Sequence, residues 1–429
     1  MVSSKKDILP LRFVQLEEKA ISECISCGIC VDVCPCIPMS KLQDMNSEKI
    51  SREVLEYLKG GCLSEIVIER AFACCRCGGC IDICPVGINV YNLQQALRSE
   101  IVAAGERQLT LNQLRIGYRI WDEYDFDDIL ASIQIKPSEK RWVDGIPQNL
   151  RRKNTILFLG CPTRRYVDKV NTTLDILDML GLDFLAIGGG AVCCGARAQI
   201  AGRLKEADIQ GLQLISTLAR YEPNEVLVIC PTCLYMMKKE IPNFVDVPFK
   251  TKHVLEVIAD NLGTLHFSHP VNKRVTFHDP CKLGRMCGDT ASARKILQSI
   301  PGIKLVEMPQ GEENINCCGG TAWRYNPQYA KVLRKKAMDY AKIIKAEVLA
   351  TACMFCYHRF CEAAVDYNYD VLDVMEIVGE GLGIKHENKL TRYRNYHDPE
   401  RVIEEAREYI DASPYSIEEM RQVLAYLMP

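Results

Sequence analysis

The chain has no stretch approaching the roughly 18 consecutive apolar residues of a membrane span. Its N-terminus, MVSSKKDILPLRFVQLEE, holds no apolar run long enough for a signal peptide. Positive charge is not in surplus: 53 Lys and Arg stand against 55 Asp and Glu, so there is no electrostatic case for nucleic acid. No G-x-G-x-x-G run follows a strand-like segment, so no flavin or nicotinamide fingerprint is present. Ile187–Gly190 (IGGG) is too short for one and runs into Cys193, which reads as a tight turn. These absences predict a cytoplasmic protein whose contact with the cytoplasmic face of a membrane, if any, is made through a partner. At 429 residues the chain is long enough for two or three domains with real cores.

Cysteine, by contrast, is abundant: 23 residues, far more than packing requires. A disulfide framework does not suit a reducing compartment or a chain this long. Thiolates are soft ligands for zinc, copper(I) or iron–sulfur clusters, and metal binding is the better account.

Two sets share one local pattern. Cys24, Cys27, Cys30 and Cys34 precede Pro35, and Cys74, Cys77, Cys80 and Cys84 precede Pro85. Both follow the C-x2-C-x2-C-x3-C-P run of two-cluster ferredoxins, whose fourth cysteine reaches across to the other cluster. The spacing therefore predicts one cubane [4Fe–4S] cluster on Cys24, Cys27, Cys30 and Cys84, and a second on Cys74, Cys77, Cys80 and Cys34, with Gly28 and Gly78 easing the loops. Structural zinc uses two separated CxxC pairs, a different pattern. The insert of about forty residues between the sets reads as helical over Ser51–Leu58 and Leu63–Phe72, and a helix over Asn89–Ala104 closes an α-helical ferredoxin module, residues 1–104. Residues 105–153, with Tyr118, Trp121, Tyr124 and Trp142, read as a strap over the next domain.

From Asn154 the texture changes. Short apolar runs (TILFLG, FLAIGG, VLVIC) alternate with helical stretches at Val167–Met179 and Arg203–Arg220, which predicts βαβ units and a parallel sheet. Cys161, the pair Cys193–Cys194, Cys230 and Cys233 all follow strand C-termini, where open α/β sheets bind ligands. About 120 residues later the pattern recurs with Cys281, Cys317–Cys318, Cys353 and Cys356, an internal duplication. Neighbouring cysteines diverge from the backbone and do not easily serve one ordinary cubane, so each quintet suits a polynuclear site. The fold expected is an α+β multidomain chain: the ferredoxin module, two duplicated α/β domains at 154–272 and 273–384 around a pseudo-two-fold axis, and a helical tail at 385–429.

The doubled C-x(31–35)-CCG-x(34–35)-CxxC pattern resembles the CCG domains of heterodisulfide reductase. The ferredoxin module joined to two of them resembles that enzyme's D-type subunit, or its C- and B-type subunits fused, over about residues 15–380. The resemblance implies a noncubane [4Fe–4S] cluster on each quintet: one on Cys161, Cys193, Cys194, Cys230 and Cys233, the other on Cys281, Cys317, Cys318, Cys353 and Cys356. It implies an oxidoreductase subunit that reduces a small disulfide to two thiols, with electrons from a flavoprotein, hydrogenase-type or membrane cytochrome b partner. The alternative it leaves is a non-catalytic relay between a flavoprotein dehydrogenase and a quinone or cytochrome.

Disulfide reduction takes two electrons, which cubanes deliver singly, and two protons. His278 and Asp279, just before Cys281, are candidate proton donors, although His-Asp-Pro also shapes a turn. Arg164, Arg165, Lys282 and Arg285 read either as attractors of an anionic substrate or as solvated loop charges. Cys36, Cys62, Cys75, Cys287 and Cys361 belong to no set and read as small buried hydrophobes. In the tail, Asp398–Pro399 starts a helix through Ile410. A second tail helix begins at a Ser416/Glu419 capping box and carries an apolar stripe (Met420, Val423, Leu424, Leu427) that packs on the chain itself or on a partner.

Overall fold

The computed structural model describes residues 5–107, 126–145, 151–190, 192–309 and 317–428. The N-terminal module is helical, with main helices Leu11–Glu23, Ser47–Leu58, Glu65–Ala73 and Val90–Ala103. The helix expected from Ser51 starts a turn earlier because Asn46 accepts a hydrogen bond from the Lys49 N–H and caps it. Its Ile50, Val54, Leu55 and Leu58 recur at helical spacing and are all buried.

Two parallel sheets follow. The first has strands β1 (Val143–Asp144), β2 (Thr155–Phe158), β3 (Phe184–Gly188), β4 (Glu225–Val228) and β5 (Lys250–His253), in the order β1-β3-β2-β4-β5. The second has β6 (Arg274–His278), β7 (Lys304–Leu305), β8 (Val348–Thr351) and β9 (Asp370–Asp373), in the order β7-β6-β8-β9. Apart from the added edge strand β1, the order is the same. Register agrees too: Phe158 pairs with Val228 as His278 pairs with Thr351. Most of the central strands β2 and β4 is apolar because both faces are covered by helices; Ile156, Leu157, Phe158, Val226, Leu227 and Val228 are all fully buried, whereas β6 carries the buried Thr276 and His278.

The two copies pack reciprocally. Helix Val167–Met179, which follows β2, lies on Val374–Leu382, which follows β9; the equivalent helices Ser292–Ser299 and Val254–Asp260 also lie together. This is the signature of an approximate two-fold axis. One apolar cluster runs through both domains, from Leu157 and Val170 to Val275 and Val378.

The described part of residues 105–153 bridges both copies rather than only the next domain: Trp142 is buried in the shared core and β1 extends the sheet beside β3, while Phe126, Ile129 and Leu130 pack with Met354 and Phe360 of the second copy and with the tail. Tyr118, Trp121 and Tyr124 lie outside the described residues. In the tail, the expected helix from Pro399 to Ile410 breaks at Ala406 into Pro399–Glu405 and Arg407–Asp411. The stripe of helix Ile417–Leu427 is covered by this chain: Met420, Val423 and Leu424 are buried with Phe126, Ile129 and Phe360.

Candidate metal centres at the domain seam

The two ferredoxin loops fold alike. Ser26 and Gly28 in one, Arg76 and Gly78 in the other, take left-handed backbone conformations, which turns the chain tightly around the sulfurs. A cavity of about 50 Å³ is lined by Cys24, Cys27, Cys30 and Cys84 together, three from one loop and one from the other. Cys34 is an electrostatic neighbour of Cys74, Cys77 and Cys80. Between the two groups lies the buried Arg70, which donates to the Cys30 carbonyl at 3.1 Å and to Cys34 Sγ at 3.9 Å.

In the first CCG domain, Cys161 and Cys193 sulfurs stand 4.0 Å apart, and Cys233 and Cys194 sulfurs 3.6 Å apart. All five of its cysteines line a cavity of about 30 Å³, together with Arg76 of the ferredoxin module and Lys282, Thr321 and Phe355 of the second CCG domain. In the second, Cys356 and Cys318 sulfurs are 3.0 Å apart, Cys281 is paired with Cys317, and the Gly319 and Gly320 N–H groups each donate to a cysteine sulfur at 3.4 Å. Gly195 and Gly319, each following a cysteine pair, have left-handed φ, and a Cβ there would meet the backbone of Ala207 in helix Leu204–Ala219 at 2.3 Å and of Ala330 in helix Pro327–Ile343 at 2.6 Å. The glycine of CCG is thus a close-approach requirement that aims both sulfurs inward.

The sulfurs perturb one another. Contact with Cys193 and Cys233 pulls Cys194 down to about 5, and contact with Cys317 and Cys356 pulls Cys318 down to about 6. Their partners Cys233 and Cys356 are pushed up, first by the same contacts and then by burial. A bound metal would take the place of the thiol protons in each quintet. Buried soft thiols, with N–H groups aimed at sulfur, fit thiolate-held iron–sulfur clusters.

Other residues fall differently from their sequence reading. Arg164, Arg165 and Lys282 are buried rather than solvated. Arg164 pairs with Asp128; Arg165 pairs with Asp127, which also takes Arg197 at 3.0 Å. Lys282 donates to the Tyr91 hydroxyl at 2.6 Å, and Arg285 to the Cys77 carbonyl at 3.4 Å. Asp279 is held through both carboxylate oxygens by Arg294, each at 2.8 Å. His278 points the other way, its ring nitrogen within 4.8 Å of the sulfurs of Cys318 and Cys356. Cys36 and Cys75 are buried, but Cys75 touches Cys317, Cys36 and Cys77, and Cys36 touches Cys34. Cys62 is exposed, contrary to the packing role expected of it.

A larger cavity, about 380 Å³, opens beside the quintets. Pro162 and Phe355 line both it and the smaller cavity of the first quintet. Its wall includes Arg165, Trp323, His358 and Arg359, and the tail contributes Ala425, Tyr426 and Leu427. Arg359 stacks on Trp323 at 3.7 Å and pairs with Glu362; His358 Nδ1 lies 2.8 Å from the Tyr166 hydroxyl. Sequence reading missed His358, Arg359 and Trp323 because no motif marks them, although His358 and Arg359 follow Cys356 on helix Met354–Cys361 and Trp323 follows the Cys317–Cys318 pair.

Fold and site define a class: a dicluster iron–sulfur module followed by paired cysteine-rich domains. Residues 20–88 match the 4Fe-4S dicluster domain family, and residues 155–238 and 275–360 each match the cysteine-rich domain family CCG. The chain is an iron–sulfur protein of the heterodisulfide reductase D type, with two CCG domains. The D subunit of dihydromethanophenazine:CoB–CoM heterodisulfide reductase from Methanosarcina barkeri is 27% identical over 88% of this chain and 97% of its own length. EtfAB:quinone oxidoreductase of Syntrophomonas wolfei is 24% identical over 57% of this chain and 36% of its own. A hypothetical protein from Helicobacter pylori of known crystal structure shares the fold, with TM-score 0.51 at 10% identity over 90% of this chain and 75% of that one. Among the described residues no helix is long and apolar enough to cross a membrane.

Proposed function

We propose that this chain takes single electrons through two cubane clusters to two noncubane clusters, one per quintet, and reduces a small organic disulfide to two thiols. The observation that carries the reading is the adjacency of two cavities at the seam: Pro162 and Phe355 line both the large cavity and the cavity of the first quintet, and Gly320, beside Cys318, lines the large one. A molecule lodged there is separated from the first quintet by Pro162 and Phe355 and from Cys318 by Gly320. When bound, the clusters supply one-electron storage and a place for each substrate sulfur.

The chain's own residues do the rest. Arg165, paired with Asp127, and Arg359, paired with Glu362 of the same wall, give the cavity a polar, ion-paired side, while Trp323, Met354 and Phe355 exclude water. His358, bonded to Tyr166, stands where a proton can pass to a departing sulfur. Of the two residues proposed from sequence, Asp279 is committed to Arg294 and His278 faces the sulfurs. The electron donor is a partner subunit, for which a flavoprotein, a hydrogenase-type protein and a membrane cytochrome b are the candidates. Kinship with EtfAB:quinone oxidoreductase favours a second reading, a relay with no substrate of its own.

Electron paramagnetic resonance of the anaerobic, oxidised protein separates them. Added thiol is expected to produce a new paramagnetic signal; a spectrum indifferent to every thiol offered, with all clusters present, leaves the relay.

A further inference from the structure

The quintets are copies in their cysteines but not in the residue that ends the first strand of each domain. β6 ends on His278, β2 on Phe158, and the matching register with Thr351 and Val228 makes the two positions equivalent. Both side chains are buried, at 2% and 0% exposure. The scaffold therefore accepts an apolar ring here, and packing alone does not call for an imidazole.

The imidazole is costly where it stands. Among the described residues, His278 Nε2 is buried without a hydrogen-bond partner, a condition native interiors rarely leave uncompensated. Phe360 meets the ring edge to face at 4.8 Å and fixes its orientation. A ring nitrogen and the sulfurs of Cys318 and Cys356 lie within 4.8 Å of one another, so the polar edge is aimed at the thiolate group and at whatever that group holds. This quintet has thiols of the ferredoxin module as direct neighbours, since Cys317 touches Cys75 and Cys281 is an electrostatic neighbour of Cys77.

We propose that His278 is a positioning residue that makes the second site unlike the first: its ring N–H, directed at the sulfurs of Cys318 and Cys356, raises the reduction potential of the cluster held there above that of the Phe158 site. A donor to sulfur withdraws negative charge and favours the reduced form. Electrons leaving the second cubane then collect at the second quintet before passing to the first. This inference rests on the reading that both quintets hold iron–sulfur clusters.

The test uses the full-length, anaerobically loaded protein and the variants His278→Phe, His278→Gln and Phe158→His. Redox-poised paramagnetic resonance gives the midpoint of each noncubane signal, and electron–nuclear double resonance in deuterated buffer gives any exchangeable-proton coupling. Expected in the unaltered protein is an exchangeable coupling on one noncubane signal. His278→Phe should remove it and lower that midpoint alone, with iron content unchanged; His278→Gln, which keeps an N–H donor, should restore part of both. Phe158→His should raise the other midpoint. Midpoint and coupling both unmoved in His278→Phe, with iron retained, overturn the inference and leave the cluster reading intact. If His278→Phe loses iron, absence of exchangeable coupling in the unaltered protein overturns it equally. An unaltered second quintet without iron overturns the cluster reading itself, and this inference with it.

Discussion

Cys75 and Cys317 meet side chain to side chain across the junction of the ferredoxin module and the second CCG domain. Neither proximity in sequence nor motif spacing joins them, and Cys75 sits between two residues, Cys74 and Cys77, assigned to the second cubane. The junction is fastened nearby: Tyr325 donates to the Cys74 carbonyl, Arg98 donates to the same carbonyl at 3.2 Å, and Arg98 stacks on Tyr325 at 4.3 Å. One contact route between cubane and quintet therefore runs through a thiol that belongs to neither ligand set.

Replacing Cys75 by Ala is expected to leave iron content at the level of the unaltered protein, about 16 irons for four clusters of the [4Fe–4S] type. Reduction of the second quintet after rapid mixing with a reductant should slow several-fold. Loss of about four irons would instead make Cys75 a ligand and defeat the assignment; freeze-quenched paramagnetic resonance with iron analysis reads both.

Arg70 is a buried cation shared by the two cubane sites. Arg70→Gln removes its charge, and each cubane midpoint should fall. Charged hydrogen bonds are worth about 1.5–3 kcal/mol, or on the order of 65–130 mV for a one-electron couple. Potentiometric titration checks it, and midpoints that stay in place would show the charge to be offset elsewhere.

Arg359 lines the large cavity beside Trp323. If the substrate is an anionic disulfide, Arg359→Met should raise its KM roughly ten- to hundredfold, the equivalent of one charged hydrogen bond, while a neutral disulfide is little affected. Equal losses for charged and neutral disulfides would mean the residue shapes the cavity without reading charge.

His253 ends β5 and caps the next helix: Nδ1 accepts from the Leu255 N–H at 3.3 Å, and Nε2 is 2.8 Å from the Ile229 carbonyl. Burial holds it down to about 4, well below its ordinary 6.5. Below pH 6.5 the unfolded chain takes up a proton that the folded chain refuses, so stability is full above 6.5 and declines toward pH 4, by about 3 kcal/mol. Asn caps a helix without titrating there, so His253→Asn should flatten this decline in denaturant unfolding followed against pH. An unchanged slope would place the acid sensitivity in other groups.

Leu424, on the tail helix, is 1% exposed against Phe126, Ile129 and Phe360. Leu424→Ala should cost about 2–5 kcal/mol of stability in the isolated chain. Unfolding unchanged by the substitution would mean that the stripe is not covered in solution.

The amino-acid sequence determined what is local or periodic. Thiol spacing declared the ferredoxin loops, and the recurring quintets declared the duplication. Short apolar runs between helical stretches declared the parallel sheets, because strands covered on both faces have no polar side to show. Tertiary structure decided which faces meet. It put Cys75 against Cys317 and buried Arg164, Arg165 and Lys282 in partners far along the chain. It also turned His278 toward sulfur and Asp279 toward Arg294, and laid the tail over the seam. No spacing rule carries such information: these contacts join residues far apart in sequence, and their geometry is set by how whole domains pack.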